Sequence, residues 1–371
     1  MNTPSARPQV RIHSAAGLLA VIPNIIGFTP RDSLVVVGVT AQGRVQLAFR
    51  YDLPDPPNAS AAAEVTSHAL GVLVRHNLPV AVVAGYGPGT SVTPFADALR
   101  VAAPGAGVRL HDMLRVEGGR YWSYLCTNPA CCWPEGVVFD PAADPAFQAL
   151  TAAGLRTLPS REALAATIAP VTGTSADAMR HATAQAERAA SRLIARRGRR
   201  VLIRPGLTAV RAAIGLYRDG GSIRPAIGYA WLTLMLRQLP IRDDAWARMD
   251  PQHQTAHQRL WTDLVRRAQP GYVAAPASLL AFTAWQVGDG ALANLALDRA
   301  LADLPDYSLA LLLRDILDAG TPPSAAVPPM TPEQVADSYA SPATPNAGGS
   351  RQGSTGDRPP DSAGPEASSS H

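Results

Sequence analysis

The chain has 371 residues, enough for two domains of ordinary size, and 47% of them are hydrophobic, so a large core can be buried. All 33 basic residues are arginine, set against 29 acids for a formal net charge of +4. Arginine without lysine, in an alanine-rich chain, reads as a high-GC coding bias, so overall basicity is not an argument for a nucleic-acid partner; local clustering is what counts. No stretch of about 18 uncharged apolar residues occurs, which argues against a membrane span, and the polar, proline-containing Met1 to Arg11 lacks a signal-peptide pattern, so the expected location is cytoplasmic.

In chain order, Ser14 can cap a short apolar helix, Ala15 to Val21, ending before Pro23. Leu34 to Val39 reads as a buried strand. It is joined through the turn residues Ala41-Gln42-Gly43 to the alternating Arg44 to Tyr51, which makes a hairpin. Ala59 to His76 is helical, Val80 to Ala84 a second buried strand, and Thr93 to Ala102 helical. Val108 to Val116 and Tyr121 to Cys126 form a second hairpin across Gly118-Gly119. From about Ala176 the period becomes helical, with Ala176 to Arg197 as one long helix. Helices then recur to Ala319, broken at glycine- and proline-containing turns.

Residues 277 to 305 carry the spacing of a tetratricopeptide unit: Leu280 and Ala281 in one helix, Gly288 in the turn, Ala293, Leu297 and Ala300 in the next, and Pro305 at its end. The expected architecture is a flexible N-terminus (1–10), an α/β domain (11–160; a mixed sheet with hairpins and flanking helices) and an all-α domain (161–320) containing the tetratricopeptide-like hairpin. A disordered tail (321–371), poor in large apolar side chains, follows. Within that tail only Met330 to Tyr339 has the look of a capped helix.

Three stretches carry a resemblance: Ile26-Gly27-Phe28-Thr29-Pro30-Arg31-Asp32-Ser33-Leu34-Val35-Val36-Val37-Gly38; Tyr121 through Gly136, reading YWSYLCTNPACCWPEG; and Ala274 through Trp285, reading AAPASLLAFTAW. Together they resemble the actinobacterial family known as domain of unknown function 4192, over roughly residues 10 to 320. The resemblance implies a family fold and supplies no activity or catalytic residues.

All three cysteines, Cys126, Cys131 and Cys132, fall within seven residues. In a reducing cytosol such a cluster points to buried packing, a metal site or a reactive thiol rather than a structural disulfide. The C-x4-C-C spacing lacks the second cysteine or histidine pair of the usual zinc motifs, so zinc is admitted by these donors but not favoured. If Gly118-Gly119 is a two-residue turn, facing residues sum to 237. Arg115 then faces Trp122, Met113 faces Tyr124 and His111 faces Cys126, which makes His111, with Asp112, a candidate further ligand or a base beside the thiol.

Among weaker candidates, Gly85-Tyr86-Gly87-Pro88-Gly89 could cradle a phosphate but lacks a P-loop pattern and reads as a plain loop feeding a helix. Asp32, Asp52 and Asp140 sit at strand ends and read as turn residues. His253 and His257, at i and i+4, lack the glutamate of a zinc-protease helix and read as a solvated face. Residues 180 to 218 hold ten arginines and one acid, Glu187. Arg188, Arg192, Arg196 and Arg199 fall on one helix face, extended by Arg197, Arg200 and Arg204, an arrangement that could hold an anion.

The leading functional expectation is a non-catalytic cytoplasmic binding or scaffold protein that docks a partner through its helical half. The alternatives are an enzyme with a thiol or metal centre at Cys126, Cys131, Cys132 and His111, and a nucleic-acid or other anion binder using the Arg-rich helix of residues 180–204.

Overall fold

The computed structural model describes residues 14–128, 130–153 and 157–340. The first half runs α1 (Ala15–Ile26), β1 (Ser33–Val39), β2 (Val45–Asp52), α2 (Ala59–Arg75), β3 (Val80–Tyr86), α3 (Gly89–Ala102), β4 (Arg109–Glu117), β5 (Arg120–Ser123), β6 (Val137–Val138) and α4 (Pro145–Ala152). The second half is helical: α5 (Arg161–Thr167), α6 (Gly173–Arg197), α7 (Ile203–Arg218), α8 (Ala226–Met235), α9 (Leu239–Ala247), α10 (Gln254–Arg267), α11 (Ala274–Gln286), α12 (Gly290–Asp303), α13 (Ser308–Asp318) and α14 (Pro332–Ala340). Among the described residues no helix is long and apolar enough to cross a membrane.

The strands form one mixed six-stranded sheet in the order β2-β1-β3-β4-β5-β6, in which only β3 and β4 are parallel. β1 is buried along nearly its whole length because helices cover both of its faces, which is why it reads as an unbroken apolar run. Leu34, Val36, Ala81, Val83 and Met113 face α2 and α3, packing against Leu70, Leu73, Phe95 and Leu99. The alternate positions Val35, Val37, Val82, Ala84 and Leu114 enter a second core, shared with Leu19 and Ile22 of α1 and with the helical half down to Leu313. The two halves expected as separate domains therefore share one apolar core. Three side chains at the C-terminal part of α2 strengthen the join: His68 and Arg75 of the helix and His76, its C-cap, reach the carbonyls of Asp318 and Ala319 at the C-terminus of α13.

Both predicted hairpins form. In the second, Gly118 and Gly119 take φ +58° and +72°, the left-handed pair required by a two-residue turn, and Arg115 pairs with Trp122 as the expected register demands. Ser14 caps α1 through a hydrogen bond donated by the Gly17 amide. That helix, however, does not stop before Pro23 but runs through it to a left-handed cap at Gly27. Burial of Ile22, Pro23 and Ile26 outweighs the one backbone hydrogen bond that proline cannot donate.

The expectation of disorder from residue 321 is corrected for 321–340. Trp285 donates its indole N–H to the Thr321 carbonyl and Gln286 donates to Ala326. Thr331 and Gln334 then exchange hydrogen bonds in a capping box that starts α14. α14 packs on α9, burying Val335 and donating the Tyr339 hydroxyl to Asp243 at 2.6 Å. Few but well-placed anchors hold a segment whose composition alone reads as tail. Residues 341–371, like 1–13, lie outside the described residues.

Candidate functional site

The sheet delivers the cysteines to a surface loop. β5 pairs with β4 as far as Ser123, and one more backbone bond, from Tyr124 N–H to the Met113 carbonyl, extends the ladder. There the Ser123 hydroxyl intervenes. It accepts hydrogen bonds from the Leu125 and Cys126 amides and donates to Asp112 Oδ1, turning the chain off the sheet before Cys126 can pair. Asn128 closes the next turn: its side chain accepts from the Ala130 amide and its carbonyl from the amides of Cys131 and Cys132. Pro129 lies outside the described residues.

Behind the loop, Trp122 stacks under the Arg115 guanidinium at 3.7 Å and donates its indole N–H to the Pro134 carbonyl. Arg120 donates to the Gly136 carbonyl at 3.0 Å. Gly136 is required twice over: its φ is +80°, and a Cβ there would fall 2.4 Å from the Trp122 ring.

This framework gathers the three sulfurs. Cys126 Sγ lies 3.3 Å from Cys131 Sγ, which lies 3.8 Å from Cys132 Sγ, and all three fall within 4.8 Å of one another. All are free thiols; Cys131 is exposed and the other two are half-exposed. Hydrogen bonds from Cys132, from the Asn128 backbone and from Cys131 hold the Cys126 thiol below its ordinary pKa. The hydrogen bond with Cys126 raises Cys131, and the same interaction, with added desolvation, pushes Cys132 up to about 12. Of the three, Cys126 is the sulfur that gives up its proton most readily, and Cys131 and Cys132 hold theirs more tightly than an ordinary thiol.

His111 is not part of the cluster. Its predicted position opposite Cys126 requires the ladder to continue two residues beyond Tyr124, and the Ser123 turn prevents that. The imidazole instead has Nδ1 3.4 Å from Arg109. Asp112 stays one residue removed, with Oδ1 taken by Ser123 and the Met113 amide. Among the described residues, Cys126, Cys131 and Cys132 alone form a group spaced to hold a metal ion. The cysteine clustering was readable from spacing. The turn-forming roles of Ser123 and Asn128 are not evident from the cysteine spacing, although S-x-x-C and T-N-P carry ordinary turn signals.

Gly85 has no room for a side chain because Val92 of α3 would lie 2.1 Å from its Cβ, so this glycine serves helix-on-sheet packing. Asp32 accepts the Leu53 amide through its carbonyl and Asp140 caps a short 3-10 turn, both turn roles, whereas Asp52 ends β2 and pairs with Arg50 of the same strand. His253 is half-exposed and bound to Asp250, whereas His257 is 2% exposed, correcting the expected solvated face for that residue. Arg188, Arg192 and Arg196 share the exposed face of α6. Arg199 lies past Gly198, in a separate 3-10 turn, and so does not continue that helix face.

A family described as Domain of unknown function (DUF4192) matches residues 16–324. No curated protein and no solved structure matches the chain.

Proposed function

The chain belongs to the DUF4192 family, and from that premise we propose that its cysteine loop is a three-thiolate centre for a soft d10 metal ion of the zinc class. The observation that carries this reading is the sulfur spacing. Tetrahedral coordination with Zn–S bonds of about 2.3 Å places sulfurs about 3.8 Å apart. The cluster's distances of 3.3 and 3.8 Å, with every pair inside 4.8 Å, lie around that value.

The chain's own residues divide the work. Cys126 offers the sulfur that deprotonates most readily, and an incoming ion displaces the protons of all three thiols. The Asn128 backbone hydrogen bond that lowers Cys126 would also support a metal-bound sulfur, and Asp112, through Ser123, orients the Cys126 amide. Three protein ligands leave a fourth position for water or an outside ligand, the arrangement of an exchangeable or reactive centre rather than a closed structural one.

Docking through a tetratricopeptide-like hairpin is less well supported. α11 is buried at every position from Ala274 to Trp285, so the α11–α12 hairpin is core and presents no open groove on that helix.

The test is metal content of protein purified under reducing conditions and then loaded with zinc. One tightly held ion per chain, lost in Cys126→Ser, Cys131→Ser and Cys132→Ser, supports the reading. Equal content in the wild type and all three variants overturns it.

A further inference from the structure

A second surface, apart from the cysteine loop, is a run of arginines without counter-charges. Eight arginines of the helical half outside residues 188–204 are paired with acids among the described residues. In the helical half, Arg161 and Arg314 meet Asp298, Arg180 meets Asp177, Arg211 and Arg248 meet Asp244, Arg218 meets Asp250, Arg242 meets Asp243 and Arg267 meets Asp263. The segment 188–204 departs from this pattern. It contains seven arginines and no acid; all seven are exposed, and none makes an ion pair among the described residues. Glu187, the nearest acid, is turned to the Tyr272 hydroxyl at 2.5 Å.

The geometry is regular. α6 buries Met179, Ala182, Thr183, Ala186 and Ala190 against the core, and Arg188, Arg192 and Arg196 stand on the opposite side at i, i+4, i+8. Their Cα atoms are about 6 Å apart along the axis, in a stripe about 12 Å long. Arg199, Arg200 and Arg204 widen the stripe at its C-terminal end. Like charges at i, i+4 repel and weaken a helix, so an uncompensated stripe fits a partner that supplies the missing negative charge.

We infer that this face of α6 binds the phosphate backbone of duplex nucleic acid without reading sequence. A stripe of a single sign fits a uniformly anionic polymer better than a protein surface, where charges of both signs interleave. Duplex DNA offers a charge every 1.7 Å or so of axis, roughly seven over the length of the stripe. No aromatic side chain lies between residues 188 and 204 to stack exposed bases, which disfavours single strands. The apolar face of α6 is already buried, which disfavours insertion into a lipid surface.

The experiment is fluorescence anisotropy of a labelled 20-base-pair duplex of mixed sequence at 50 and 200 mM salt, with the full chain. Four phosphate contacts predict a loss of affinity of roughly 100-fold between those salts. Arg192→Glu/Arg196→Glu should weaken binding at least tenfold at 50 mM salt. Arg44→Glu/Arg100→Glu, an equal charge change on two exposed residues of the sheet half, should leave it within about twofold. The milder Arg192→Gln/Arg196→Gln, checked for an unchanged circular dichroism spectrum, guards against misfolding of the reversed pair. Absence of binding at 50 mM salt, equal loss in both double reversals, or binding only to single strands or to anionic vesicles would overturn the inference.

Discussion

His257 gives the helical half a defined sensitivity to acid. Its side chain is almost completely buried, neither ring nitrogen has a hydrogen-bond partner among the described residues, and the Asp250 carboxylate stands 3.6 Å away. Burial, aided by the Arg218 and His253 charges and opposed by Asp250, lowers its pKa from 6.5 to about 4. Well above pH 6.5 the imidazole is neutral in both folded and unfolded chains and adds no pH dependence. Between pH 6.5 and 4 the unfolded chain takes up a proton that the folded one refuses, so stability falls as pH falls.

A shift of that size corresponds to about 3 kcal/mol in total, of which about 2.5 kcal/mol is lost between pH 7.5 and 4.5. For a domain of this size that is a melting temperature lower by roughly 5 °C. His257→Leu removes the titrating group and keeps the site apolar, so its melting temperature should fall less over the same interval by about that amount. Asp250, which burial would raise but which its hydrogen bond with His253 and the Arg218 charge hold below the ordinary carboxylate value of 3.8, contributes stability above that value and loses it only as pH falls further, outside this window. Calorimetry at pH 7.5 and 4.5 on both proteins decides. Parallel loss in wild type and variant would refute the reasoning.

Two further predictions concern the loop and the C-terminal segment. Gly136→Ala places a Cβ against the Trp122 ring in a left-handed conformation, which should cost about 1–2 kcal/mol in backbone strain alone and weaken metal retention together with the melting temperature. Unchanged behaviour in both assays would show that the loop is not held as described. A chain ended after Ala340 serves as the reference. One ended after Gly320 loses the hydrogen bonds of Trp285, Gln286 and Tyr339 and the burial of Val335, and should melt several degrees lower; equal melting temperatures would count against the docking of α14.

Sequence legibility followed how local the determining interaction was. The Gly118-Gly119 turn dictated its hairpin register because two adjacent glycines can both take positive φ, and the apolar run of β1 betrayed a strand covered on both faces. The course of residues 321–340 was not readable, since it depends on partners such as Trp285, Gln286 and Asp243 that lie far away in sequence. The shared core of the two halves was hidden for the same reason: periodicity tells which face of a helix is apolar and not what it meets. At the site, clustering of three cysteines in seven residues was visible at once, whereas the expected His111–Cys126 pairing extended an ideal ladder past a serine. The Ser123 hydroxyl competes for the very amides that the ladder needs, and a side-chain bond to the neighbouring backbone decided the geometry.

The central claim is that Cys126, Cys131 and Cys132 hold one soft metal ion together. Zinc-edge X-ray absorption of the zinc-loaded chain tests it most directly, because it counts ligands by element. The account predicts three sulfur neighbours at about 2.3 Å with one lighter atom completing the shell, and the loss of that sulfur shell in Cys126→Ser. A shell of nitrogen and oxygen only, or one unchanged by the substitution, would contradict it.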